Sequence, residues 1–364
     1  MKMDKVLKKI IYLIMPVLLI VSFVNYIIDP ANIYHNELIE NMAEKLLEGN
    51  IIRSIGDEDE GVRHELVVSE LKRAPETLIV GSSHVIYIPF EYKDYYNVGE
   101  SGAKLGDIYA MIGLFDYYNL MPQKIVIGID QWIFKEDAYS LRNISLTNYA
   151  NYEIDKVLIP SARNEINYIK NNPVVKKISE LISFSYFQSS LKNFRNIDDK
   201  VDATVIIEEN VEISEFVKVM PNGSRILGTN TKNTTEEIIE ESEWQVTSNK
   251  PVSWLIDTGY LNKVEDNIIQ FEALVDTLLE RGITVELYLP TWNPIIYDYC
   301  VKNKEVSGGL EVEKYIRSMA DKRGILVRGS YNPKVTGMTV EAFWDWQHMK
   351  PEKMLESFDY IEFD

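Results

Sequence analysis

Ser83 stands in the stretch "ETLIVGSSHV", residues 76 to 85, where an apolar run breaks at Gly81 into two serines and a histidine. Near the other end of the chain, Asp345 and His348 stand three residues apart in "FWDWQHM". A serine hydroxyl is a poor nucleophile at neutral pH and attacks a carbonyl only when a base takes its proton. His348 can be that base if its second ring nitrogen donates to Asp345, which fixes the tautomer and stabilises the imidazolium. Histidine occurs only at positions 35, 64, 84 and 348, so few residues compete for the role. Singly, each piece is weak, because glycine and serine are ordinary turn residues. Together they form an ordered set.

These residues need elements to position them. Short apolar runs, "TLIVGS", "YYNVG", "KIVIGID", "GITVELYLP" and "GILVRGS", alternate with amphipathic stretches. Two of the latter, "VEDNIIQFEALVDTLLERG" and "EVEKYIRSMADKRG", close with a basic residue and a glycine, as helix C-termini do. Buried strands alternating with helices give an α/β fold with a mainly parallel sheet and helices on both faces. Ligands of such sheets sit at the carboxyl ends of the strands. Those ends read "GSSH", "NVGESG", "GID" and "LPTWNP", and the segment holding Asp345 and His348 follows the fifth strand.

Other residues at these ends are candidates. His84 follows the serine and either lines the pocket or caps a helix. Ser82 becomes the exposed hydroxyl if the strand stops one residue earlier. Trp132, Trp292, Trp344 and Trp346 fall at strand ends or beside the Asp-x-x-His segment, where an indole either stacks on a sugar or packs the rim. Asn293 after "LPTW" is placed to orient an acceptor hydroxyl. The run Asp57-Glu58-Asp59-Glu60 lacks the ligand spacing of a calcium loop and reads as a solvated loop. Neither a phosphate-cradling Gly-x-x-x-x-Gly-Lys loop nor a His-Glu-x-x-His zinc motif occurs, so no metal or cofactor is expected.

The chain has 364 residues with 46% hydrophobic content, ample for a large α/β domain with insertions. Its formal charge of −18 repels phosphate backbones, which argues against nucleic acid as a partner. The single cysteine, Cys300, excludes an intrachain disulfide and sites built on several thiolates. At the N-terminus, Lys2, Lys5, Lys8 and Lys9 precede an apolar run from Ile10 to Ile28. At a rise of about 1.5 Å per residue that run spans roughly 30 Å, a bilayer core. The expectation is a single-pass membrane anchor with a cytoplasmic N-terminus and an extracellular main domain; the bulky residues after the run disfavour cleavage as a signal peptide. Residues 1–30 thus form the anchor, 31–75 a helical lead-in and 76–364 the main domain, with an insertion at about 136–255 that reads as a lid.

In its ordered blocks the chain resembles the SGNH (GDSL-type) hydrolase superfamily, in particular its membrane-anchored extracytoplasmic branch associated with O-acylation of cell-surface polymers of bacteria. The resemblance covers roughly residues 76 to 134 and 256 to 350. It implies a flavodoxin-like three-layer α/β/α sandwich. It makes Ser83 of Gly81-Ser82-Ser83 the nucleophile, with Asp345 and His348 completing the triad. It makes Gly102 in "NVGESGAKLGD" a backbone donor to the oxyanion, where each well-placed donor contributes on the order of 3 kcal/mol. A helix beginning at Ser83 would add the favourable field of its N-terminus. The family's third block carries an asparagine that donates to the oxyanion; here the position is Asp130, whose ionised carboxylate cannot donate. Asp130 therefore turns away, binds a substrate hydroxyl or stays protonated, or the hole has backbone donors alone. The implied activity is transfer or hydrolysis of O-acyl groups on a surface polysaccharide. The implied partners are the glycan, the membrane and a multipass membrane O-acyltransferase, and a non-catalytic scaffold of such a transferase is the alternative.

Overall fold

The computed structural model describes residues 2–30, 34–35, 37–54, 59–88, 94–157, 173–193, 205–208, 216–228, 233–248 and 255–359, with the side chains of 2–11, 173, 176, 193, 358 and 359 outside the description. The first half of the chain forms α1 (Lys2–Ile28), α2 (Glu37–Leu47), β1 (Ile51–Arg53), α3 (Glu60–Glu70), β2 (Thr77–Val80), α4 (Ser83–Ile86), β3 (Tyr95–Asn97), α5 (Leu105–Tyr117), β4 (Lys124–Gly128) and α6 (Thr147–Val157). Then come α7 (Pro173–Leu181), α8 (Phe184–Asn193), β5 (Ile207–Glu208), β6 (Lys218–Val219), β7 (Arg225–Ile226) and α9 (Thr235–Thr247). The last part gives α10 (Glu265–Glu280), β8 (Thr284–Leu289), α11 (Pro294–Lys302), α12 (Gly308–Asp321), β9 (Leu326–Gly329), α13 (Pro333–Thr336) and α14 (Pro351–Asp359).

The five apolar runs read as strands become β2, β3, β4, β8 and β9, a five-stranded sheet in the order β3-β2-β4-β8-β9. All four pairings are parallel. Alternate residues of these strands enter two separate apolar layers, as the period of two requires. Leu78, Val80, Ile125, Ile127, Leu287 and Leu289 face one layer, built with α2, α3, α5, α6, α10 and α12. Ile79, Val126 and Tyr288 face the other, with Val85 of α4, Ile238 of α9, Phe343, Met349 and Met354 of α14. Both faces are therefore covered, as a parallel sheet demands. Strand order reverses at β2, with β3 added on one side and β4 on the other, which opens a crevice at their carboxyl ends.

A second sheet, β5-β1-β6-β7, is antiparallel and joins the lead-in to the insertion. The reading of 31–75 as helical misses β1: three residues are too few to show a period. Within that lead-in, His64 is buried beside the Tyr96 hydroxyl at 3.4 Å. The acidic run 57–60 is not simply a solvated loop. Asp59 caps α3 by accepting from Val62 N at 3.1 Å, and Glu60 pairs with Arg225, while 57 and 58 lie outside the described residues. In the insertion, α9 packs on α11 and on the short 3-10 turn Val340–Ala342. Cys300 is buried, and burial pushes its thiol up to about 12.

The expected anchor lies in α1, with Tyr12, Leu13, Leu19 and Phe23 exposed along it. Among the described residues no helix is long and apolar enough to cross a membrane; the side chains of Ile10 and Ile11, at the start of the expected span, fall outside the description. The end of α1 is tied to the insertion. Buried Asn25 donates through Nδ2 to the carbonyls of Glu180, Leu181 and Ser183 at the α7–α8 junction. Buried Asp29 accepts from the backbone of Tyr34 and His35 and from the Tyr186 hydroxyl.

Candidate active site

β2 ends at Val80, and the chain turns through Gly81 and Ser82 into α4. Gly81 has φ +151°, and a Cβ there would stand 3.0 Å from the Gly128 Cα. Glycine at both positions lets the ends of β2 and β4 approach backbone to backbone. The Gly81 carbonyl accepts from Glu100 N at 2.9 Å, which ties the turn after β3 to the same point. Ser82 is the N-cap of α4: its Oγ accepts from His84 N at 3.2 Å, and the residue is buried. Ser83 is thus the first helical residue, and its Oγ lies 2.9 Å from His348 Nε2. Of the two serines, the second meets the base.

Asp345 and His348 lie on one closed loop. A bridge pairs Phe343 with Met349, and Trp344 N donates to the His348 carbonyl at 2.8 Å. Asp345 Oδ1 accepts from the backbone of Gln347 at 2.8 Å and of His348 at 2.7 Å. Its other oxygen, Oδ2, stands 2.7 Å from His348 Nδ1. The three-residue spacing therefore lets one carboxylate shape the loop and orient the ring. Burial pulls the Asp345 carboxyl upward, but the His348 hydrogen bond and charge and the two backbone donors outweigh it, holding Asp345 below its ordinary range. With Nδ1–H given to Asp345, His348 Nε2 is left to accept the Ser83 proton, the geometry of general-base activation.

Asp130 resolves one expectation. Its Oδ1 lies 2.6 Å from His84 Nδ1, so the carboxylate faces a second histidine. His84 Nε2 in turn faces the Gln347 carbonyl at 3.2 Å. A carboxylate and a carbonyl only accept, so the imidazolium form of His84, donating from both ring nitrogens, satisfies both contacts. Burial favours the neutral ring, yet the charge and hydrogen bond of Asp130, the charge of Asp345 and the Gln347 carbonyl together raise its pKa. His84 does not cap α4, since Ser82 does that. It joins the end of β4 to the loop that carries the base.

Two hollows flank the His84 ring. One, about 210 Å³, is lined by Ser83, His348, Tyr87, Pro290, Met349 and Met354, among others. The other, about 250 Å³, is lined by Gln131, Trp132, Trp292, Asn293, Trp346 and Gln347 together with His84 and Ile296. Trp132 stands with its ring centroid 5.8 Å from that of His84 and donates through Nε1 to the Ala103 carbonyl at 3.1 Å. Asn293 caps α11, its Oδ1 accepting from Ile295 N at 3.0 Å. Trp344 is buried, and Trp292 stacks on Tyr331. Gly102 lines neither hollow. It holds a turn at φ +66°, with the Arg142 guanidinium where a Cβ would stand. Gln131, beside Asp130 at the third strand end, escaped sequence reading although its position was the available signal. Among the described residues no group of His, Cys, Asp and Glu is arranged to hold a metal ion. No protein-family model matches this chain, and none of the curated proteins matches it.

Proposed function

We propose that the protein is an SGNH-like serine acyltransferase or esterase that acts on O-acyl groups of a cell-surface polysaccharide, tethered to the membrane by its first thirty residues with the main domain outside. The observation that carries this reading is the continuous chain Ser83 Oγ, His348 Nε2, His348 Nδ1, Asp345 Oδ2, with links of 2.9 and 2.7 Å. Ser83 would attack the acyl carbonyl as His348 takes its proton. The acyl group would then lie beside Tyr87, Met349 and Met354. The backbone N–H of Ser83, at the start of α4, is the donor this reading assigns to the oxyanion; Gly102, which lines neither hollow, has no such place. His348 gives the Ser83 proton to the leaving oxygen; it then takes the proton of an incoming sugar hydroxyl, which gives transfer, or of water, which gives hydrolysis, and returns it to Ser83 Oγ as the acyl–Ser83 bond breaks. The test is labelling of the full chain in detergent by a fluorophosphonate, alongside Ser83→Ala, Ser82→Ala and His348→Ala. The expected result is labelling lost in the Ser83 and His348 variants and retained without Ser82. A folded wild-type protein that takes no label would instead favour the non-catalytic scaffold.

A further inference from the structure

Two residues that line the larger hollow carry a buried amide atom with no partner among the described residues. Asn293 and Gln131 are 1% and 2% exposed, and neither Asn293 Nδ2 nor Gln131 Oε1 meets a hydrogen-bonding group of the chain. The orientation of Asn293 is fixed independently, because its Oδ1 is engaged in capping α11. Its free atom is therefore a donor. Buried amides left unpaired are unfavourable, and a polar ligand relieves them. One free donor and one free acceptor in the same hollow ask for a group that both gives and takes hydrogen bonds. A hydroxyl does this. A carboxylate cannot give a proton to Gln131 Oε1, and an ammonium cannot accept from Asn293 Nδ2. The imidazolium of His84 is already balanced by Asp130, so the hollow makes no demand for charge. The rest of the lining is Gln347, Ile296 and three indoles, the indoles being flat surfaces suited to the C–H faces of a ring.

We propose that this hollow binds a single neutral pyranoside, with Asn293 Nδ2 donating to one hydroxyl and Gln131 Oε1 accepting from another. We further assign it as the subsite for the sugar that receives or carries the acyl group; that assignment rests on the serine-nucleophile reading, whereas the binding itself does not. Its place fits: His84 lines both hollows, and Gln347, which lines this one, sits between Asp345 and His348.

The experiment follows tryptophan emission of the full chain in detergent during titration with methyl glucopyranoside, methyl galactopyranoside and methyl N-acetylglucosaminide, with glycerol and cyclohexanol as controls. Acrylamide quenching gives a second readout that needs no variant. The expected result is saturable binding of at least one pyranoside, with protection from acrylamide, to wild type and to Ser83→Ala alike. Asn293→Asp keeps the cap but replaces the donor with an acceptor, and is expected to weaken binding about tenfold or more, as is Gln131→Leu. Absence of pyranoside binding, or equal binding by both variants, overturns the proposal. Pyranoside binding by a protein whose serine takes no fluorophosphonate would remove the catalytic reading and leave the sugar site standing. A labelled serine without pyranoside binding would remove the sugar site alone.

Discussion

The rings of His84 and His348 stand with centroids 5.3 Å apart, each held through Nδ1 by its own aspartate. The two pairs do different work. His348 points its free nitrogen at Ser83, whereas His84 spends its second nitrogen on the Gln347 carbonyl and so pins the loop that carries the base.

Loss of either end of the Ser83–His348 hydrogen bond removes the nucleophile's activation. Ser83→Ala and His348→Ala are expected to lower kcat on an activated ester such as p-nitrophenyl acetate by roughly four to six orders of magnitude. Ser82→Ala takes away only a cap, so a loss of less than about tenfold is expected, with stability lower by about 1 kcal/mol. Steady-state kinetics and denaturant melts of the three variants decide the matter. Equal loss at Ser82 and Ser83 would refute the assignment of the nucleophile.

Asp345→Asn keeps the size of the side chain but no longer selects the tautomer, and a fall in kcat of about 10⁴-fold is expected with little change in KM. The same residue predicts an acid limit. Its folded pKa is depressed, so its contribution to stability is present above the unfolded value, about 3.9, and is lost as pH falls through the folded pKa. Thermal melts across the acid range should show wild type losing stability there and Asp345→Asn losing less.

His84 carries the opposite sign. Its folded pKa is raised with Asp130, Asp345 and His348 facing it, so its stabilisation is full below the free imidazole value of about 6.5 and is lost as pH rises through the folded pKa. An NMR titration of the His84 ring should give a midpoint above that of free histidine, and Asp130→Asn should bring it down. Asp130→Asn should also lower kcat more than it raises KM, because it loosens the loop holding His348. A His84 midpoint unmoved by Asp130→Asn would dispose of the clamp.

The contact between Gly81 and Gly128 leaves no room for a methyl group. Gly81→Ala would put a Cβ 3.0 Å from Gly128 Cα at φ +151°, so a loss of about 1–3 kcal/mol or more is expected in urea unfolding. A neutral substitution would mean that the strand ends tolerate separation.

Much of this architecture was legible because its signals are local. Each of the five core strands is a short apolar run closed by a turn residue, and Asp345 reaches His348 across three residues of its own loop. What lay beyond reading depends on long-range geometry. Asp130 finds His84 across 46 residues only because Gly81 and Gly128 bring two strand ends together. The insertion shows short strand-like runs among polar loops, but their pairing with β1 into an antiparallel sheet was not legible, because these strands are two or three residues long. Gln131 went unnoticed because nothing in an isolated glutamine shows that its carbonyl lacks a partner.

Ser83 and His348 are 265 residues apart in the chain. During synthesis the serine therefore emerges early and stays without its base until the final segment has left the ribosome. Pairing of the hydroxyl with the imidazole is thus a late event of biogenesis, set by chain order.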